Sequence, residues 1–523
     1  MEALRRGMST GMGRAPGGAL VFVGFMGAGK SSSARAVAAE LGVPALDSDR
    51  ELEAELGEPI EAFFDREGEA AFRAREEETV LKLLARPDAM VLALGGGATG
   101  SEPVREALIA HTVVHLEVEP DEAWRRASGK GRPLARDRGR FDQLHADRCG
   151  GYATVADAIL PPAARGVARR ALPGLLALRE ARDGGGRPVR LVWAEAASGD
   201  YPVFLGRGLL ADGFFHPGGL RPYVVTDSNV VVHHTVEGLH TVAIAPGEEN
   251  KNLVSVEEVL RALATAGAGR NDVVAAVGGG VVGDLAGFCS AIYQRGLRYV
   301  QVPTTVVAQV DAAYGGKTGV DLPEGKNYAG SYHQPAAVIC DPATLGTLPV
   351  EEHAAGYAEV LKTALIAGGP LWARVRAGGE VDEETILGCL RTKLATVAAD
   401  ERDAGARQAL NLGHTIGHAI EAATGYRRYR HGEAVGIGLL AALRLSEKEV
   451  LRREVADLLA ERGLPLSFEG TSVEEVIALT ERDKKRIGGR LPFVLVQAPG
   501  QVTPGHEVAP GAVRDAVEEL RSR

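Results

Sequence analysis

Short β-branched runs recur along the first two thirds of the chain, each followed by a turn and a stretch of helical spacing. That alternation predicts parallel βαβ units. The runs are Leu20–Val23, Met90–Leu94 and Val113–Val118, then Tyr223–Thr226, Val242–Ala245, Val273–Val277, Tyr299–Val302 and Val338–Cys340. Between the two sets, Arg182-Asp-Gly-Gly-Gly-Arg-Pro188 gathers charge, glycine and proline and reads as a flexible linker. After about Pro349 the texture changes, and Ala-, Leu- and Glu-rich segments running to about Ala460 predict a mostly helical portion. No internal repeat is visible, so the two halves are different modules rather than a duplication.

At 523 residues the chain is too long for one core and should hold about three domains. Apolar content of 45% and charged content of 24% are ordinary for a globular protein. A net charge of -10 argues against a nucleic-acid surface, which needs a clustered basic face. Cys149, Cys289, Cys340 and Cys389 form no CxxC pair, so neither a disulfide framework nor a cysteine zinc site is expected, and a cytoplasmic location is. No apolar run reaches the ~18 residues of a membrane span. Arg5, Arg6 and Arg14 ahead of Ala19–Met26 imitate a signal peptide, but that run continues into Gly27-Ala-Gly-Lys-Ser31 and reads as a buried strand. Residues 1–18 are expected to be a disordered tail.

Gly24-x-x-x-x-Gly29-Lys30-Ser31 follows a strand and opens a helix, the context that makes this pattern a phosphate loop. Its backbone N–H groups would converge on phosphate at the positive end of the helix. Lys30 would reach the β- and γ-phosphates and Ser31 would ligate magnesium. In Asp47-Ser-Asp49 one carboxylate could serve magnesium and the other a hydroxyl nucleophile; equally, Asp49 could cap a helix beginning near Glu51. Gly95-Gly-Gly97 permits close approach to a ligand, or only a tight turn. Arg148 and Tyr152, four apart, share a helix face.

Together GFMGAGKS, the DSD pair, Phe72-Arg73, GGG, Arg132-Pro-Leu and R-x-x-x-Y over residues 19–175 resemble shikimate kinase. The resemblance implies a P-loop NTPase-type three-layer αβα domain. It assigns Gly27, Ala28, Gly29, Lys30, Ser31, Ser32 and Asp47 to ATP and Mg2+. It assigns Asp49, Arg73, Gly95, Gly96, Gly97 and Arg148 to shikimate, and makes Arg132 the arginine of a lid. Ser32 stands where the family usually has Thr, and Cys149-Gly150-Gly151 replaces a more apolar stretch beside Arg148.

In the second half, Asn411-Leu-Gly-His414-Thr-Ile-Gly-His418-Ala-Ile-Glu421 precedes His431-Gly-Glu433. His414 and His418, four apart, share one helical face, and spacing alone would make both metal ligands. Gly278-Gly-Gly280-Val-Val-Gly283-Asp284 follows a strand and opens a helix; it could seat a pyrophosphate, and a tight turn explains it nearly as well. Glu359 and Lys362, read bare, are an i,i+3 surface pair.

From about Val189 onward the chain resembles 3-dehydroquinate synthase, through GHTxGHAxE…HGE, AEVxK and the GGGVVGD variant. The resemblance implies a Rossmann-like α/β NAD-binding domain (189–349) after a linker (176–188), then a mainly α-helical metal and substrate domain (350–523). It moves the metal, Zn2+ or Co2+, to Glu359, His414 and His431, leaving His418 for catalysis with Lys317, Lys362 and Arg295. NAD is implied at Asp227, Asn229, Gly247, Glu248, Lys251, Gly280, Val281, Val282, Gly283, Asp284, Thr304, Thr305, Lys317, Lys326, Thr344 and Thr347. Substrate is implied at Asp311, Lys317, Asn327, Arg407 and Lys485. Arg295 would serve a neighbouring subunit's site, which implies a homodimer through this half. The expectation is a bifunctional enzyme of aromatic biosynthesis acting on small molecules, with a related sugar-phosphate cyclase fused to a different kinase, or one silent half, as the alternatives.

Overall fold

The computed structural model describes residues 18–88, 90–129, 133–162, 166–185, 188–215, 221–484 and 492–522. The expected tail, apart from Gly18, lies outside them, as do Arg132 and Lys485. Internal contacts divide the chain into one unit of Met1–Ala194 with Asp200–Phe204 and another of Glu195–Gly199 with Leu205–Arg523. No helix among the described residues is long and apolar enough to cross a membrane.

The first unit alternates strands and helices: β1 (Leu20–Val23), α1 (Lys30–Leu41), β2 (Ala45–Asp47), α2 (Ser48–Leu56), α3 (Ile60–Ala85) and β3 (Val91–Ala93). There follow α4 (Glu102–Leu108), β4 (Thr112–Leu116), α5 (Pro120–Ala127), α6 (Arg138–Val155), β5 (Ala158–Leu160), α7 (Val167–Gly185), β6 (Arg190–Ala194) and β7 (Tyr201–Leu205). Strands run in the order β2-β3-β1-β4-β5-β6-β7, with parallel pairing from β2 to β6. β1 and β4 are buried along their whole length, which is why they read as continuous apolar runs.

The segment expected as a linker is instead helical through Gly185. Leu175 and Leu178 of α7 are fully buried, and Arg182 pairs with Asp157 in its last turns. Burial and a salt link outweigh the helix-breaking composition there. The boundary also differs, since β6 pairs with β5 of the first unit.

The second unit contains β8 (Tyr223–Asp227), β9 (His240–Ile244), α8 (Leu253–Thr265), β10 (Val273–Gly278), α9 (Gly280–Ile292), β11 (Arg298–Pro303), β12 (Lys317–Leu322), β13 (Gly325–Tyr332) and β14 (Ala337–Cys340). Its parallel sheet has the order β14-β11-β10-β8-β9, and β12 and β13 form an antiparallel hairpin beside it in sequence. Helices then dominate: α10 (Val350–Ala367), α11 (Gly369–Arg376), α12 (Glu383–Ala399), α13 (His414–Ala423), α14 (His431–Leu445), α15 (Glu449–Glu461) and α16 (Val473–Lys484). The hairpin of β15 (Pro492–Ala498) and β16 (Gln501–Glu507), and α17 (Pro510–Glu519), end the unit.

Helix α14 packs backbone against backbone. A Cβ on Gly438 would lie 2.0 Å from the Gly413 carbonyl oxygen, and one on Gly432 would lie 1.7 Å from that of Ala355. These contacts seat α14 directly against the start of α13 and against α10, the three helices that carry Glu359, His414 and His431. Gly438→Ala is expected to lower unfolding free energy by about 1–3 kcal/mol through overpacking. Gly511→Ala, where a Cβ meets open space on a helix, should be neutral or stabilising by up to about 1 kcal/mol. Equal denaturation midpoints for the two variants would refute the close packing.

Candidate active sites

In the first unit, three strand ends converge. β1 runs into the phosphate loop, where Lys30 Nζ donates to the carbonyls of Gly24 at 2.8 Å and Phe25 at 3.2 Å. Gly27 has φ 86°, and a Cβ there would come within 2.8 Å of the Ala123 carbonyl oxygen, so only glycine fits. Gly29 caps α1 with no side-chain hydrogen bond, so the first amides of the helix point into the loop without a side-chain cap. Arg126 Nη1 reaches in from α5 to donate to the Gly27 carbonyl at 3.1 Å.

The end of β2 supplies Asp47, whose carboxylate accepts from the N–H groups of Asp49 at 3.2 Å and Arg50 at 3.4 Å. The cap of this helix is therefore Asp47, and the helix starts at Ser48 rather than near Glu51. Asp49 lies beside the end of β3: a Cβ on Gly95 would stand 2.7 Å from Asp49 Oδ1 and 2.5 Å from Glu76 Oε1. Ser48 Oγ accepts from Gly95 N at 2.8 Å and fixes that approach.

Arg73 Nη1 donates to Glu76 Oε2 at 2.5 Å and lies against Gly97. Arg148 Nη1 donates to the Gly96 carbonyl at 3.2 Å, and Tyr152 OH donates to the same oxygen. Helix α6 runs unbroken through Cys149–Gly151, so that departure from the family pattern leaves Arg148 in place. The predicted residues Arg73, Gly96, Gly97 and Arg148 line one cavity of about 770 Å³ together with Glu76 and Arg105. Glu76 was not foreseen. It stands three residues after Arg73 on a charged helix, where a surface pair is the default reading, yet it is 5% exposed.

In the second unit the predicted nucleotide residues cluster at the carboxyl ends of parallel strands. Asp227 ends β8 and accepts from Asn229 N at 2.8 Å; Gly247 and Glu248 follow β9; Gly280 opens α9 after β10; Thr304 and Thr305 follow β11. Thr344 and Thr347 follow β14, with Thr344 bonded to Gln309 and Thr347 to His234. Buried Lys251 joins Asp284 at 2.6 Å and Asn327 at 2.7 Å, so two predicted groups from different elements are brought together. This is the crevice where open α/β sheets bind ligands.

Beside it lies a buried charged cluster. Glu359 is 0% exposed, and its Oε1 is 3.5 Å from His414 Nε2 and 3.4 Å from His431 Nε2. The Glu359–Lys362 pair, a surface pair on bare sequence, is thus fully inside, with Lys362 Nζ 2.5 Å from Glu359 Oε2 and 2.9 Å from Asp311 Oδ2. One ring nitrogen from each of His414, His418 and His431 lies within 4.8 Å of the others, close enough together for the three to hold a metal ion. Burial pushes the His414 imidazole down to about 3, so it is neutral with a lone pair to offer. Burial opposes charge on His431 as well, but the carboxylates of Glu359 and Glu421 beside it lift it to about 10. Among the described residues, Glu359 makes no well-aligned hydrogen bond through either oxygen. A buried carboxylate facing two imidazole nitrogens is a donor set that fits a divalent cation.

Asp311 sits on a single π-helical turn, Ala308–Ala312, between Lys362 and Lys393. Burial raises its pKa, and the two lysines outweigh that and hold it at about 2. Arg407, also buried, donates to the carbonyls of Glu401 at 2.6 Å and Gly315 at 3.4 Å. Lys317 pairs with Asp403. Arg295 is exposed at the end of α9 with φ 69°, and it makes no contact with the imidazole cluster among the described residues.

Family models agree with this division. Those of the 3-dehydroquinate synthase N- and C-terminal parts match residues 241–355 and 356–486, and that of shikimate kinase matches residues 26–169. A 3-dehydroquinate synthase of Acidithiobacillus ferrooxidans (strain ATCC 53993 / BNL-5-31) is 40% identical over 356 residues, 63% of this chain and 98% of the relative. The chain belongs to the 3-dehydroquinate synthase family. A shikimate kinase domain precedes the synthase, so the protein is a fused enzyme of the shikimate pathway.

A second synthase, from Rhodopseudomonas palustris (strain BisB18), is 41% identical over 362 residues, 62% of this chain and 95% of the relative. Among solved structures, ValA, a 2-epi-5-epi-valiolone synthase from Streptomyces hygroscopicus subsp. jinggangensis 5008 with NAD+ and Zn2+ bound, matches with TM-score 0.55 and 26% identity over 61% of this chain and 96% of its own. A 2-deoxy-scyllo-inosose synthase complexed with carbaglucose-6-phosphate, NAD+ and Co2+ matches in fold, with TM-score 0.57 and 24% identity over 63% of this chain and 100% of its own.

Two further side chains of the synthase went unforeseen. Lys393 offered no signal, being one cation on an amphipathic helix. Glu421 stood inside the quoted histidine motif, and its carboxylate turns out to face both His431 and Lys326. For the buried triad, Asp311→Asn leaves Lys393 without its counter-ion and Lys362 with Glu359 alone, and should cost about 3–5 kcal/mol at pH 7. Because the folded pKa is depressed, the wild-type advantage is complete above about pH 4 and fades as pH falls toward 2. Denaturant melts of both proteins across that range check this, and a pH-independent gap would contradict the electrostatic origin.

Proposed function

We propose that the residues gathered at these two sites perform the two family reactions separately. In the first unit, the amides of the phosphate loop and α1, from Gly27, Ala28 and Gly29 to Ser32, cradle the phosphates of ATP, and Lys30 leaves its carbonyl partners to meet them. Ser31 and Asp47 serve Mg2+. Asp49 takes the proton of the shikimate 3-hydroxyl, and Arg73 and Arg148 pair with the substrate carboxylate, with Glu76 holding Arg73 in place. Gly95–Gly97 admit the ring closely, and Arg132 closes over the phosphates.

In the second unit, Glu359, His414 and His431 hold a divalent ion, Zn2+ or Co2+, and the crevice from Asp227 to Thr347 holds NAD. The two groups together supply polarisation of a carbinol oxygen and reversible acceptance of its hydride. Asp311, Lys317, Lys362, Lys393, Asn327, Arg407 and Lys485 receive the carboxylate and phosphate of 3-deoxy-D-arabino-heptulosonate 7-phosphate. His418, beside the cluster, moves protons during phosphate loss and closure to 3-dehydroquinate. The reading rests on one observation: the Glu359 carboxylate buried between two Nε2 atoms. Exposed Arg295 suits a homodimer in which it completes the partner's site. Four free cysteines and diffusible substrates favour a cytoplasmic location.

Lys30→Ala is expected to reduce ATP-dependent phosphorylation of shikimate by about 10²–10³-fold while leaving phosphate release from the heptulosonate phosphate unchanged. His414→Ala should do the reverse, bringing phosphate release to background. Loss of both activities in either variant would contradict separate sites. Chelation followed by return of Mg2+ alone should restore only the kinase, and Zn2+ or Co2+ should then restore the synthase. Phosphate release from other sugar phosphates but not from this one would favour a different cyclase.

A further inference from the structure

The two imidazoles facing Glu359 are held from behind by different groups. His414 Nδ1 lies 3.1 Å from the Leu412 carbonyl oxygen, a neutral backbone acceptor from its own chain turn. His431 Nδ1 lies 3.3 Å from Glu421 Oε2, a carboxylate from another helix. In both cases the outer contact engages Nδ1 and leaves Nε2 toward Glu359, the arrangement by which an acceptor selects the tautomer of a ligand and raises its basicity.

Glu421 reaches this position because His414, His418 and Glu421 fall at i, i+4 and i+7 of α13 and so share one face. Its side chain is only 2% exposed, and its other oxygen takes the Lys326 ammonium at 3.0 Å. Lys326 comes from β13, packs over the Tyr426 ring at 4.8 Å, and lies 3.5 Å from Glu248 Oε1 in the turn after β9. An unbroken polar chain therefore runs Glu248–Lys326–Glu421–His431, from the turn expected to meet the dinucleotide to a residue of the imidazole cluster. A carboxylate needed only to neutralise Lys326 would not have to spend its second oxygen on His431.

We propose that Glu421 is the positioning residue of His431, and that through Lys326 it couples occupancy of the nucleotide crevice to affinity at the metal centre. This rests on the metal-centre reading above. Lys326 drawn toward a bound dinucleotide shifts Glu421, and with it the imidazole ring it orients. Linkage requires the effect to be mutual, so NAD and metal should each tighten or weaken the other by the same factor.

The test is cobalt(II) binding to the full metal-stripped chain, by chelator competition and by the visible ligand-field bands, with and without NAD. Glu421→Gln keeps the volume and an acceptor oxygen but loses the charge, and should weaken cobalt binding by about 10-fold; Glu421→Ala should weaken it by nearer 100-fold. Both should shift the ligand-field bands, which a role limited to stability would not move. NAD should change cobalt affinity of the wild type by about 5-fold or more, and this dependence should vanish in Lys326→Met and in both Glu421 variants. Cobalt affinity within threefold of wild type together with unaltered bands in Glu421→Gln overturns the positioning role, and that variant decides the matter if Glu421→Ala does not fold. An NAD effect of equal size in Lys326→Met overturns the coupling. If the wild type shows no ligand-field bands, or His414→Ala binds cobalt as tightly, it is the metal centre itself that fails.

Discussion

A carboxylate with no exposure to water must be compensated, and in the second unit that requirement falls on Glu359. Its charge is set against Lys362 on its own helix and against two imidazoles from α13 and α14. Desolvation of such a group costs several kcal/mol unless partners stand within contact distance. The helices must therefore approach closely enough to deliver them, and the backbone contacts at Gly432 and Gly438 are what permit this. Lys362 is in turn shared with Asp311, and Asp311 with Lys393, so one buried acid draws four helical or π-helical segments into a single charged cluster.

The first unit solves its electrostatic problem with backbone rather than side chains. Amides at the start of α1 and the turn at Gly95–Gly97 do most of the shaping, and both sit at the carboxyl ends of parallel strands, where α/β sheets leave a crevice. Charged side chains are then added sparingly. Arg73 is held by Glu76 and Arg148 by the Gly96 carbonyl, so two guanidinium groups that would otherwise repel are fixed on either side of one cavity.

Much of this was legible because certain patterns have one physical use. A strand–GxxxxGKS–helix junction has little purpose other than phosphate, and two of three histidines within eighteen residues could be placed on one helix face from spacing alone. Spacing and family pattern select differently among them: two histidines four apart suggest a shared role, and the family pattern divides it, while the structure brings His414, His418 and His431 together. The burial of Glu359, Lys362 and Lys393 was hidden for a different reason: nothing in an i,i+3 pair or a lone lysine reports whether its helix is inside or outside, and only the family resemblance singled out the first two. Tertiary burial makes that decision. The helix that runs on through Gly185, where a linker was expected, has the same origin, because it carries two buried leucines upstream and one salt link at Arg182.

The two activities of the fusion are not consecutive steps, so nothing in the chemistry requires a product to pass directly from one site to the other. Among the described residues the two candidate clusters draw on different stretches of the chain: Lys30, Asp49, Arg73 and Arg148 come from residues before the boundary, and Glu359, His414 and His431 from residues after it. A chain in which neither cluster borrows a side chain from the other gains no catalytic group from fusion. What remains is stoichiometry, one kinase for each synthase.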